Sequence, residues 1–389
     1  MQSMIFELFK IITIFYMVFF LSLLLLGGIK KIRVSKTYYV LAFVFLLCAS
    51  FWAYGLTPGN GLDLYRLHES VDWVRQNSTG VIDAVLNPNE KYIGLTGVNF
   101  LFYLVSCTNS NRWLQTVSVF VTGAIIFYVV INFIRSKDYN SRQLLIALVL
   151  TFMGMPVQYI LSGVRNAMAV ALALLSSYWI FYKRSKHPIV AVVVYFLGAT
   201  IHPIVFLLIP VIALAFCKKQ YLFRALALLG LPIAFSLAPL LSYVPIKIVQ
   251  YISVRLLYYQ NISYAYDRPE MIANLAVFSV VGLSWCFCIK NRYIAEPSHN
   301  EKIYLNVYYL MGCLMIGCSV HRDFTLRIGY MMGILAIPIV LKLLSRMRKE
   351  KENPFQQKLL ITGIYLSIFV CAIKVFYDSA YGLSFYSFY

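Results

Sequence analysis

WLQTVSVFVTGAIIFYVVINFI, residues 113 to 134, runs for 22 residues without a charged side chain. A helix of roughly 20 apolar residues crosses the hydrocarbon core of a bilayer. Lipid offers no hydrogen bonds, so such a run must satisfy its backbone internally, as a helix does. Similar runs recur at 11–26, 38–56, 144–161, 164–182, 225–243, 271–289, 303–320, 325–343 and 358–377. The chain has 389 residues, of which 61% are hydrophobic and 13% charged, with a mean hydropathy of +0.74. These values predict an all-α polytopic membrane protein. A β-barrel would show short alternating segments instead of long unbroken runs.

The net charge of +19 comes from 34 Lys and Arg against 15 Asp and Glu. In a soluble chain it would point to nucleic acid. Here cytoplasmic loops rich in Lys and Arg account for much of it, and no nucleic-acid partner is expected. The eight cysteines lie mostly in apolar runs. With no CxxC and no Cys/His cluster, neither a disulfide framework nor a zinc site is expected. The first apolar run precedes its basic cluster (Lys30, Lys31, Arg33, Lys36), so it reads as a span and not as a cleavable signal.

Basic clusters set the topology. They predict ten spans plus two partial insertions in a single integral membrane domain, residues 1–389, with both termini outside. Residues 57–92 and 244–270 form the larger outer loops. Residues 93–107 are too short to cross and read as a re-entrant or interfacial segment. Residues 188–216 are flanked by cations at both ends, Lys183, Arg184 and Lys186 before, Lys218, Lys219 and Arg224 after. A half-depth hairpin fits, broken at His202-Pro203, because proline removes a donor and disfavours helix at the residue before it. One long helix kinked at Pro203 is the competing arrangement. The tail YGLSFYSFY reads as an aromatic interfacial belt.

Ten cations fall on or near the outer side: Arg66, Arg75, Lys91, Arg112, Arg165, Lys247, Arg255, Arg268, Arg322 and Arg327. Most are arginines, whose planar fork of donors suits phosphate oxygens. An anionic ligand such as a lipid-linked phosphate follows, with lipid headgroups as the alternative. Arg165 opens an apolar helix, SGVRNAMAVALALLSSYW, whose small residues at 167, 169, 171 and 173 admit a close neighbour. Arg327 lies a turn inside another. Ionisable groups in spans face cavities or snorkel to the interface. The first outer loop carries Asp63, Tyr65 and Arg66, and Glu90 heads the short re-entrant segment. Such carboxylates either take a proton from a sugar hydroxyl or pair with arginines. The second outer loop, YYQNISYAYDRPE, holds Tyr264 among tyrosines that suit sugar faces or the interface.

In order along the chain these features are Asp63 and Tyr65, Glu90, then Val164-Arg165-Asn166-Ala167. A basic turn follows, then Ile201-His202-Pro203 and a helix start Arg327-Ile328-Gly329-Tyr330. The set resembles the EpsG/Wzy-type polysaccharide polymerases of bacterial inner membranes, over roughly residues 50 to 345. Asn166 stands where the family often has Gln, and Pro203 where a small polar residue is commoner. The resemblance implies a membrane glycosyltransferase that joins oligosaccharide repeat units carried on undecaprenyl pyrophosphate at the periplasmic face. Lipopolysaccharide O-antigen is the expected product, with capsule or exopolysaccharide as the alternatives; membrane lipids and a chain-length regulator are the expected partners, and no cofactor is expected. It implies catalytic roles for Arg165, His202, Asp63 and Glu90. It also implies substrate-binding roles for Tyr65, Asn166 and Arg327, to which the outer cations Arg66, Arg255 and Arg322 and the loop residue Tyr264 add binding groups for glycan or pyrophosphate; no metal is expected. A transporter or flippase of a lipid-linked glycan and an O-antigen ligase are the alternatives.

Overall fold

The computed structural model describes residues 36–60, 62–135, 160–161, 163–182, 188–245, 296–317, 322–346 and 386–388, with scattered positions in 253–290 and 355–366. They are overwhelmingly helical. Two of their helices, Trp113–Asn132 and Val164–Tyr182, are long and apolar enough to cross a bilayer. Both coincide with expected spans. The expected spans at 11–26, most of 144–161, and most of 271–289 and 358–377 lie outside the described residues, as does nearly all of the 244–270 loop.

The chain divides into two units. The first comprises residues 1–207, 337–349 and 368–389. Its described part opens with α1, Lys36–Gly55, and a short strand β1, Leu56–Pro58. The segment read as an outer loop from 57 to 92 is itself folded, with α2 at Asp63–Asn77, α3 at Val81–Leu86 and a 3-10 turn at Glu90–Tyr92. α2 forms because Leu64, Leu67, Val71 and Val74 repeat at helical spacing and are all buried. Each large apolar side chain removed from water in this way contributes roughly 1.5–3 kcal/mol. Asp63 in its first turn and Arg75 in its last suit the helix dipole.

α2 packs on α4, Thr96–Ser106, an 11-residue helix far too short to cross. Arg75 staples the two. It donates to the Ser106 carbonyl (3.1 Å) and to Asn111 Oδ1 (2.7 Å), and it pairs with Asp72. α5, Trp113–Arg135, packs on α1 and on α6, Val164–Ser177, which continues through a π turn at Tyr178–Tyr182. α7, Pro188–Ile201, returns alongside α6. It ends at the expected break, and a 3-10 turn follows at Pro203–Leu207.

The aromatic tail differs from its sequence reading. Tyr386–Phe388 forms β2, antiparallel to β1 with Thr57 opposite Ser387, and Tyr386 is buried. Strand pairing takes up backbone groups that an interfacial tail would leave to water. The protein is therefore all-α apart from this one strand pair among the described residues.

The second unit comprises residues 208–336 and 350–367. Within it lie α8, Leu208–Ala215, α9, Gln220–Leu241, and α10, His299–Gly317, which packs on both. Arg224 of α9 lies over the Tyr309 ring of α10, 4.7 Å from its centroid, and donates to Asn306 Oδ1. A capping box, Ser298 with Glu301, starts α10. The last helix, α11, spans Arg322–Arg346, of which residues 337–346 belong to the first unit.

Candidate active site

The N-terminal turn of α6 meets side chains from α5 and from the segment before α4. Gly163 caps the helix without a side-chain hydrogen bond, and Arg165 is half-buried in its first turn. The guanidinium lies over the Tyr92 ring, 4.9 Å from the centroid. Such a contact is worth about 0.5–2 kcal/mol. Tyr92 is itself held from three sides. Its hydroxyl accepts from Ser70 Oγ (3.1 Å), its carbonyl accepts from Asn99 Nδ2 (3.0 Å), and its ring meets Phe102 edge-on at 5.1 Å. The turn that carries Tyr92 also carries Glu90, which is exposed. Arg165 and Glu90, far apart in sequence, thus belong to one neighbourhood.

α7 brings His202 to the same end. A methyl group at Gly198 would sit 2.9 Å from the Ala169 carbonyl oxygen, so the backbones of α6 and α7 touch there. The two helices run antiparallel, and one turn beyond that contact lie Arg165 on α6 and His202 past α7. Gly97 of α4 packs against Thr200 and Ile201, leaving no room for a Cβ. The small residues foreseen at 167, 169, 171 and 173 are all buried, and at Ala169 the neighbour admitted is α7.

The ring nitrogens of His202 are settled by its neighbour. The Ile204 backbone N–H donates to His202 Nδ1 at 3.1 Å. Nδ1 therefore carries the lone pair, and in the neutral ring the proton sits on Nε2. Tyr195 donates to the Val205 carbonyl at 2.6 Å and pins the turn against α7. In this arrangement His202 offers a donor, and the basic nitrogen expected of a proton acceptor is already occupied.

α5 completes the cluster. Ser118 donates to the Val164 carbonyl at 3.3 Å, next to Arg165. One turn earlier Gln115, fully buried, donates to the carbonyls of Ala53 (3.2 Å) and Leu56 (2.9 Å), and its Oε1 faces His68 Nε2 at 2.8 Å. Burial holds the His68 imidazole below the usual histidine range, against an upward pull from Gln115 and Asp72. Asn166 is 7% exposed, and its Oδ1 is buried without a hydrogen-bond partner among the described residues. Ser70, Asn99, Gln115, Ser118 and Asn166 are thus buried polar side chains around one helix terminus. Burial of this kind is costly unless the groups are bonded.

The other expected residues are spread more widely. Asp63 and Arg66 are exposed and paired with each other at 3.4 Å, and Tyr65 is half-buried beside them on α2. Arg327 is half-buried on α11 in the second unit, and Arg322 is the first residue of that helix. Arg255 and Tyr264 lie outside the described residues. Tyr92, Gln115 and His68 were not among the expected site residues. A glutamine in the first turn of an otherwise apolar run was the available signal for Gln115. Among the described residues no three His, Cys, Asp or Glu side chains come together as metal ligands.

A helical membrane protein with an arginine and buried polar groups at one helix terminus is the class defined so far. The chain matches the EpsG family over residues 76–388, most of its length. It belongs to that family, a Wzy-type family of polysaccharide-polymerase-like proteins. The match extends through the C-terminal strand and begins after Asp63, Tyr65, Arg66 and His68. No curated protein and no solved structure matches the chain.

Proposed function

We propose that the protein is a polymerase of lipid-linked oligosaccharide repeat units, acting at the periplasmic face of the bacterial inner membrane. The donor is a glycan on undecaprenyl pyrophosphate, and the acceptor is a sugar hydroxyl of the next lipid-linked unit. O-antigen of lipopolysaccharide is the product assigned. The observation that carries this reading, beside family membership, is Arg165. It stands in the first turn of an apolar helix, held over Tyr92 and ringed by buried polar side chains.

Transfer from a lipid pyrophosphate breaks the bond between the anomeric carbon and the phosphate oxygen. Negative charge grows on the leaving group, and a fixed cation aimed at that charge lowers the barrier. A guanidinium meets two phosphate oxygens at once. The N-terminus of α6 adds backbone donors and the positive end of its dipole. Asn166 and the Nε2–H of His202 supply further polar groups at the same level. Glu90 and Asp63 accept hydrogen bonds from glycan hydroxyls. Arg66, Tyr65, Arg322, Arg327, Arg255 and Tyr264 bind the glycan or pyrophosphate beyond the reacting centre. A chain-length regulator is the protein partner assigned.

A deletion strain tests the reading on a lipopolysaccharide gel. The expected result is core capped with a single repeat unit and no ladder. A strain that retains its ladder overturns the polymerase assignment. Loss of even the single-unit band overturns it in favour of a ligase or flippase.

A further inference from the structure

We propose that His68 Nδ1 is the general base that takes the proton from the acceptor hydroxyl. The inference rests on the polymerase reading above, and on this chain's geometry alone, because His68 precedes the residues matched to the family.

The argument begins with Gln115. Its side-chain amide meets two backbone carbonyls, Ala53 O and Leu56 O, at 3.2 and 2.9 Å. Carbonyls only accept, so the NH₂ must face them and Oε1 must face His68. A carbonyl-type oxygen 2.8 Å from His68 Nε2 requires a proton on that nitrogen. The lone pair is therefore on Nδ1, and no hydrogen bond engages Nδ1 among the described residues. This is the pattern of a base oriented by a third group. His202 has the opposite arrangement, with Nδ1 already taken by Ile204.

Location agrees. The Gln115 that orients His68 lies one turn from Ser118, which is bonded to the residue before Arg165. A base and a leaving-group cation on opposite sides of an anomeric carbon must be separated by about one sugar ring. In inverting glycosidases the two carboxyls stand about 6.5–9.5 Å apart, which leaves room for the attacking nucleophile. The charged groups facing the ring are Asp72 on its own helix and Arg112 from the segment before α5. Burial of the imidazole keeps it neutral and able to accept.

The step balances. The acceptor O–H gives its proton to Nδ1 as the oxygen bonds to the anomeric carbon. The bond from that carbon to the pyrophosphate oxygen breaks, and its electron pair leaves on the lipid pyrophosphate. The imidazolium then releases its proton to water.

The test uses membranes containing the full-length protein, and lipid-linked repeat units extracted from the deletion strain. His68→Gln keeps a donor toward Gln115 and removes the base, so polymerisation should fall about 10²–10⁴-fold at normal expression and thermal stability. Activity within threefold of wild type overturns the proposal. Asp72→Asn removes a charge that favours the imidazolium, so the acid limb of the pH–rate profile should move to lower pH. An unmoved limb overturns the proposal even where His68→Gln expresses poorly. Arg165→Ala, run in parallel, separates the two readings. An inactive Arg165→Ala beside an active His68→Gln removes only the base assignment. Activity in both variants, with a ladder in the deletion strain, removes the polymerase reading itself.

Discussion

His68 and His202 are both half-buried and in the neutral ring both carry the proton on Nε2, yet the hydrogen bonds named for them engage opposite sides of the imidazole. A buried glutamine faces Nε2 of His68; a backbone N–H faces Nδ1 of His202. The difference is set by what each neighbour can donate or accept. It teaches that an imidazole in a membrane-protein site says nothing of its role until its partner is named. The family resemblance implies a catalytic role for His202, and an imidazole with a near-neutral pKa suits a base. The hydrogen bond that makes the break tidy is the one that occupies its basic nitrogen.

The most severe way to break this comparison is to remove the group both histidines would serve. Arg165→Ala should lower polymer formation about 10²–10³-fold, as loss of one fixed charge-stabilising donor does. The protein should still insert. Wild-type ladders from a normally expressed variant would leave neither histidine a reaction to assist.

Gly198→Ala perturbs one side only. Its methyl group would press 2.9 Å from the Ala169 carbonyl, forcing α7 away from α6 and carrying His202 with it. Overpacking of this kind costs about 1–3 kcal/mol. Thermal unfolding in detergent should show the loss, while the Gln115–His68 pair stays in place. Unchanged stability would mean that the helices separate without cost.

A smaller effect distinguishes a cap from a catalyst at His202. His202→Asn keeps an oxygen that can accept from the Ile204 N–H, and His202→Leu does not. The leucine variant should lose about 1 kcal/mol, in the range of a lost helix cap. The asparagine variant should retain most of both stability and activity. A large activity loss in the asparagine variant with full stability would give His202 a chemical role beyond the cap.

The smallest effect is a pH dependence of stability centred on His68. Its folded-state pKa lies below the unfolded value, so folding favours the neutral ring. That contribution is present above the ordinary histidine pKa of about 6.5. It is lost as pH falls through the lowered, folded value. Stability should decline on acidification over this window, and His68→Gln should flatten the decline.

Much of the framework was legible because membrane physics is crude and strong. The run at 113–134 forms a helix long and apolar enough to cross, as a run with no other way to satisfy its backbone in lipid must. Pro203 ends α7 where a proline must. Arg165 was visible as a charge at the mouth of an apolar helix. The rest depended on partners. Tyr92 sits in a polar stretch, and nothing local says that an arginine 73 residues later will lie over it (165 − 92 = 73). The heptad-like spacing of Leu64, Leu67, Val71 and Val74 was there to be read, yet the surrounding charges made the segment look like a loop. Asp63 and Arg66 were visible by type, but that they stand paired with each other on an exposed helix face depended on α2 forming.

The strand pair has a consequence for how the chain is made. β1 ends at Pro58, and its partner begins at Tyr386. At synthesis rates of about 5–20 residues per second, the interval between them lasts on the order of 15–70 seconds. Throughout that time α2, α3 and α4 can assemble beside an edge strand whose hydrogen-bonding groups have no partner. The nascent protein thus carries an open seam until Tyr386–Phe388 emerges, long after the helices beside it have been made.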